Sequence, residues 1–180
     1  MTLPVQTAPT LSPTLSSASA AAIEVRNPFD GALAGEVPVS TGAEVLAALA
    51  RARKAQADFR HSTPALRRKL LEALAAQIAA HAEELARTIC NEMGKTITEA
   101  RNEVRRAQNT LRLSGDAATF LDGEALHCAI VEGGADRLAT ITYQPVGVVG
   151  AITPFNYPLN LLCHKLGPAI AAGNAVIAKP

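Results

Sequence analysis

At 180 residues, with 48% hydrophobic side chains, the chain is long enough to bury a core as one domain. Its formal net charge of +1 leaves none of the basic surplus that marks nucleic-acid or anionic-membrane partners, so neither is expected. No window approaches the roughly 18 uninterrupted apolar residues of a membrane span, and the alanine-rich, tryptophan-free composition reads as a helix-rich globular protein.

Residues 1–22 are rich in Pro, Ser, Thr and Ala, with no basic region and no continuous apolar segment. They make a poor secretory signal and read as a disordered arm. Residues 23–39 read as two short extended segments around a turn, with Asn27-Pro28 and Asp30-Gly31 as the turn signals. Three helices are predicted next. Thr41 can cap the first, to about Phe59. Thr63-Pro64, a cap followed by proline at the first helical position, opens the second, which should run unbroken to Met93-Gly94. Leu70, Leu74 and Ile78 carry its apolar stripe, widened by Leu71, Leu85 and Ile89, with Arg67, Arg68, Lys69 and Glu72 largely off it. The third helix runs from about Thr96 to Leu121, and Ala100, Val104, Ala107 and Leu111 step by three and four along its packed face. Arg105, Arg106 and Arg112 beside that face read either as a solvated patch or as a cation turned toward a substrate.

The pattern then changes to ALHCAIVEG and DRLATITYQP, a predicted hairpin over residues 125–144. A glycine-bounded apolar strand (146–152), a helix from Pro158 and the strand NAVIAKP follow. Strand, helix, strand implies a parallel pair and an α/β fold. A two-strand parallel unit cannot cover its own faces and edges, so the chain is expected to be the front portion of a larger protein.

In open parallel sheets, ligands bind beyond the carboxyl ends of the strands. Asn156, in TPFNYPLN, follows one such strand, and Lys179 closes the next. An amide donates hydrogen bonds without titrating and suits an oxyanion that forms during reaction. It equally suits a cap for the helix starting at Pro158. A lysine at a strand end suits a ribose hydroxyl or a phosphate. The three cysteines, Cys90, Cys128 and Cys163, follow no disulfide spacing and fit a reducing cytoplasm. His127-Cys128 and Cys163-His164 are adjacent pairs, but strand neighbours face opposite ways and a helical Cys is usually a small buried hydrophobe, so no metal site is expected.

YQPVGVVGAITPFNYPLNLLCHKLGPAIAAGNAVIAKP, residues 143–180, resembles the aldehyde dehydrogenase superfamily. The shared pattern is a P-x-G-V-V-G strand, a P-[WF]-N-[FY]-P corner, and A-A-G-N-x-V-x-x-K-P. EVRNPFDGALAGEVPV is similar to that family's N-terminal strands, and EELARTICNEMGKTITEARNEV to its E-x-G-K-x-x-x-E-A segment. The resemblance covers residues 23–180, which would form the incomplete N-terminal part of a cofactor-binding domain: helices, the start of a parallel Rossmann-type sheet, and a hairpin resembling the oligomerisation strands.

It implies oxidation of an aldehyde through a cysteine thiohemiacetal, with hydride passing to NAD or NADP. Asn156 would be the catalytic oxyanion donor. Ile152, Thr153, Pro154, Phe155 and Lys179 would bind the cofactor, and Tyr157, Asn160, Leu161 and His164 would line the substrate funnel. The partners implied are a small aldehyde and further copies of the chain, as a homo-oligomeric dimer or tetramer, in the cytoplasm. FNYPLNLLCHK is similar to branches acting on lactaldehyde, phosphonoacetaldehyde or glyceraldehyde 3-phosphate. Phe155 stands where many members carry Trp. The family's glycine-rich cofactor turn, general-base Glu and nucleophilic Cys would lie beyond residue 180, so the chain alone is expected to be inactive. A CoA-acylating member, or a non-catalytic truncated subunit acting as a binding or assembly module, are the alternatives.

Overall fold

The computed structural model describes residues 21–180. The expected arm lies outside the described residues except at its end, where Ala22 already begins strand β1 (Ala22–Arg26). β1 pairs antiparallel with β2 (Leu33–Pro38), with Ile23 opposite Val37. The turn between them follows from two short side chains. Asn27 Oδ1 accepts from the Phe29 amide and Asp30 Oδ1 from the Ala32 amide, both at 2.9 Å, which is how Asx residues replace a backbone turn.

Helix starts are built as their cap residues dictate. Thr41 and Glu44 form a reciprocal capping box at α1 (Gly42–Phe59). Thr63 caps α2 (Pro64–Ala80), with proline in its first turn. Thr96 caps α4 (Ile97–Ala117). Between them α3 (Ala82–Met93) ends on Gly94, whose φ of 66° is left-handed.

Three expectations need correction here. The single helix predicted from Thr63 to Met93 is two, interrupted at His81, whose φ of −104° and ψ of 19° are not helical. Neither glycine nor proline marks the break. Both pieces pack on α4, and the interruption lets each turn its own buried face to that one helix. Within α2 the buried stripe is Arg67, Leu71, Ala75 and Ile78, whereas Leu70 is 45% exposed. The stripe is therefore rotated by one residue, and an arginine lies inside it because its guanidinium tucks beneath Gly173. Lastly, the α4 helix stops at Ala117 and continues as a 3₁₀ turn, Ala118–Phe120.

The hairpin is also shorter than predicted. β3 (Glu124–His127) and β4 (Leu138–Ile141) form four antiparallel pairs. Residues 128–137 leave the ladder through successive turn hydrogen bonds, Val131 to Cys128, Gly134 to Val131 and Arg137 to Gly134. These satisfy backbone groups that a longer ladder would have used.

The β–α–β unit is as expected: β5 (Val148–Ile152), α5 (Pro158–Ala171) and β6 (Ala175–Lys179), with the two strands parallel. α1 packs against both strands, and α5 against α4 and the sheet. The core is small-residue and aliphatic: Leu71, Ala86, Ala100, Val104, Leu111 and Cys163 are each at most 2% exposed. The A-A-G-N turn before β6 has a mechanical reading. Gly173 takes φ 82°. Asn174 Oδ1 accepts from Gly147 N at 2.9 Å while its Nδ2 donates to Ala169 O at 3.1 Å. Buried Gln56 on α1 donates to Gly173 O at 3.0 Å and accepts from Ala175 N. Two amide side chains thus set where both strands begin. No helix of the described residues is long and apolar enough to cross a membrane.

Candidate active site

Pairing of β5 with β6 runs from Val148↔Ala175 to Ile152↔Lys179, so both strands end at the same level. Thr153 continues the contact: its amide donates to Lys179 O at 3.2 Å. One end of the sheet therefore presents Ile152 and Lys179 side by side, followed by the turn 153–157. Ile152 is 70% exposed and Phe155 79% exposed, while Pro154, Asn156 and Lys179 are also open to solvent. Lys179 has no ion-pair partner among the described residues.

The sequence left two uses for Asn156, and the structure removes one. A cap would accept from an early α5 amide, but no hydrogen bond of the Asn156 side chain exists among the described residues, and the residue next to the helix, Tyr157, supplies no side-chain cap either. Glu103, on α4 and far away in sequence, does the capping. Its Oε1 accepts from the amides of Leu159 at 3.0 Å and Asn160 at 3.2 Å. These are two of the orphan donors every helix start leaves, and a carboxylate there also meets the positive end of the helix dipole. Asn156 is thereby left with an uncommitted amide.

A buried carboxylate needs a counter-charge. Lys95 provides it, with Nζ 2.8 Å from Glu103 Oε2. The Glu103 side chain is 0% exposed, which makes this the one deeply buried ion pair among the described residues. The same ammonium lies 3.7 Å from the centre of the Tyr157 ring, a cation–π contact on the residue after Asn156. Arg106 approaches that ring at 5.6 Å. Its neighbours in the basic cluster are engaged on their own helix, Arg105 with Asn102 and Arg112 with Asn109. Only Arg106 of the three reaches the corner.

The remaining sites read from the sequence separate. Tyr157 and half-buried Leu161 follow the corner directly. Asn160 is 2% exposed and turned to α4, its Oδ1 accepting from Thr110 Oγ1 at 3.2 Å. His164 is exposed and lines an apolar hollow of about 510 Å³ with Thr110, Leu113, Ser114 and Pro168.

Nor does the corner have a nucleophile of its own. Cys163 is 2% exposed, and burial first, the Glu103 charge second, push its thiol up to about 11. Cys90 donates to Lys95 O at 2.9 Å, and Cys128 belongs to the hairpin loop. Among the described residues there is no cluster of three or more His, Cys, Asp or Glu able to hold a metal.

Lys95 and Glu103 were missed as site residues, and the sequence did not distinguish Arg106 from the two other arginines of its cluster. A signal for Glu103 was available: it sits three residues after Ala100 and four before Ala107, a carboxylate inside an apolar stripe.

The model of the aldehyde dehydrogenase family matches residues 15–180. The chain belongs to that family. The match begins inside the segment read as an arm, ahead of the Ile23 start of the resemblance. Among aldehyde dehydrogenases, aspartate-semialdehyde dehydrogenase 1 of Pseudomonas canavaninivorans is 45% identical over 162 residues, 88% of this chain and 34% of that protein. The 3-sulfolactaldehyde dehydrogenase of Priestia megaterium is 42% identical over 158 residues, 88% of this chain and 33% of that protein. The crystal structure of NADP-dependent glyceraldehyde-3-phosphate dehydrogenase from Bacillus halodurans, complexed with NADP, matches with a TM-score of 0.84 at 34% identity, over 89% of this chain and 34% of that one. The chain thus spans about a third of the length of these aldehyde dehydrogenases.

Proposed function

We propose that this chain forms the oxyanion and cofactor wall of an NAD(P)-dependent enzyme that oxidises a small aldehyde bearing an anionic group to its carboxylic acid. The observation that carries the reading is the uncommitted Asn156 amide, held on a corner beyond the carboxyl end of a parallel strand while Glu103 takes over the capping.

The residues present fit a dinucleotide. Ile152, Thr153, Pro154 and Phe155 would line its nicotinamide-ribose side, and Lys179, unpaired among the described residues, would reach the adenosine ribose. A nicotinamide dinucleotide bound there would supply the hydride acceptor. A cysteine thiolate, supplied from the two thirds of the relatives' length that this chain does not span, would attack the aldehyde carbon. The carbon–oxygen π pair would move onto oxygen as the carbon–sulfur bond forms. Asn156 would donate to that oxygen, where the charge exists only after attack and is therefore stabilised differentially. As that oxygen pair returns, the carbon would release its hydride to the bound cofactor, and water would cleave the resulting thioester to give the acid and return the thiol.

The substrate class follows from charge. Arg106 and Lys95 flank Tyr157, but Lys95 is already neutralised by Glu103, so Arg106 is the cation left for a substrate anion. The relatives named above act, by their names, on aspartate semialdehyde, 3-sulfolactaldehyde and glyceraldehyde 3-phosphate, aldehydes that each carry an anionic group. Tyr157, Leu161 and His164 would line the entrance, with Asn160 supporting them from behind through Thr110. A cytoplasmic homo-oligomer assembled on the β3–β4 hairpin belongs to the same proposal. Leu126, Leu138 and Ile141 stand exposed there.

The enzyme that carries this chain, mixed with such aldehydes and either nicotinamide cofactor, is expected to form the reduced cofactor and the acid. Absence of reduction with every aldehyde and both cofactors overturns the reading.

A further inference from the structure

The corner that carries Asn156 is held from outside its own segment. Upstream, Thr153 is tied to Lys179 O on β6. Downstream, Pro158 has no amide to offer, and the next two amides, of Leu159 and Asn160, both end on Glu103 Oε1. Between these anchors the Tyr157 ring lies on Lys95 Nζ, which also holds Glu103 Oε2. One ammonium and one carboxylate on or beside α4 therefore grip both the ring after Asn156 and the helix that follows it.

We infer that Glu103 and Lys95 are positioning residues for the Asn156 amide, an inference that rests on the oxyanion reading above. Only a carboxylate meets the geometry, because two amides and an ammonium all need acceptors. In Glu103→Gln one oxygen becomes an NH₂ group that cannot accept from Lys95. In Glu103→Asp the side chain is one methylene too short to reach α5. The charges matter as well. The N-terminus of α5 points its positive end at the corner, where it favours an anion. Glu103 alone would cancel that field, and Lys95 restores it by neutralising the carboxylate. Lys95→Met therefore both frees Tyr157 and leaves an uncompensated negative charge near the forming oxyanion.

The test is made in the enzyme that carries this chain, with Asn156→Ala as the reference. Glu103→Gln is expected to lower kcat at least tenfold with cofactor KM unchanged, and to speed amide exchange in a peptide spanning residues 154–161. In the Asn156→Ala background, Glu103→Gln is expected to lower kcat no further, because the amide it positions is gone. Where Glu103→Gln does not fold, Lys95→Met on the partly exposed lysine reads the same dependence: it should lower kcat with cofactor KM unchanged, and lower it no further in the Asn156→Ala background. Equal effects of these substitutions with and without Asn156, or full kcat in Glu103→Gln, overturn the inference. Full kcat in Asn156→Ala itself would instead overturn the oxyanion reading, so the two failures are distinct.

Discussion

The Thr153 amide donates to the Lys179 carbonyl at 3.2 Å, one step beyond the last ladder pair of β5 and β6. This bond joins the corner bearing Asn156 to the strand end bearing Lys179. The two side chains are nonetheless expected to act on different terms of the reaction, which substitutions can separate.

Asn156→Ala should lower kcat by roughly 10² to 10³ and leave cofactor Kd nearly unchanged, since an oxyanion donor acts mainly once charge has formed. Its melting temperature should match that of the parent, because Glu103 caps α5. A capping role would show the reverse, about 1 kcal/mol of lost stability with normal kcat. Steady-state kinetics, cofactor titration and thermal melts on the same preparation decide between them.

Lys179→Ala should weaken cofactor binding and spare kcat at saturating cofactor. A ribose contact is nearly the same before and during hydride transfer, so its loss is uniform. A drop in saturated kcat with unchanged Kd would count against this assignment.

Arg106→Ala should raise KM for sulfonated or phosphorylated aldehydes by tenfold or more and barely change it for a neutral aldehyde of similar size, because a charge-assisted contact contributes about 1.5–3 kcal/mol. Arg105→Ala, whose guanidinium is held by Asn102 on its own helix, serves as the control and should do neither. Equal effects of the two would mean that the cluster is only a solvated face.

Cys163 should resist alkylation in the native protein, with Cys128 in the hairpin loop labelled first. The thiol rises from its ordinary 9.0 to about 11 in the fold. Below pH 9 both folded and unfolded chains keep the proton. Between 9 and 11 only the unfolded chain releases it, so the contribution to stability is lost across that window, on the order of 2–3 kcal/mol. Cys163→Ala should lack this alkaline loss when the two melting curves are compared from pH 8 to 11.

Gly167→Ala should destabilise the protein by about 1–3 kcal/mol. The added methyl would fall 2.9 Å from Ser114 Cβ, and Ser114 cannot turn freely because its hydroxyl donates to Thr110 O at 2.8 Å. The gain of about 1 kcal/mol in helix propensity is outweighed by this clash. Adding Ser114→Gly should recover part of the loss, and simple additivity of the two changes in denaturant unfolding would rule out the contact as its cause.

Much of this molecule was legible in the sequence because the signals act within a few residues. Thr41, Thr63 and Thr96 cap the helices that follow them, Gly94 ends α3, and the glycine-bounded run before Pro158 forms the parallel strand it suggests. The corner residues and the family pattern were equally local. What tertiary structure alone decided was partner choice over long separations. His81 interrupts a helix without any breaker residue because two faces must meet one α4. Arg67 is buried because Gly173 leaves room above it. Of three neighbouring arginines, only Arg106 meets Tyr157. Glu103 caps a helix 56 residues away. A cap supplied by the helix's own sequence is written beside it, whereas one supplied across a packed interface depends on how two helices cross, and that geometry exists only once the core has formed.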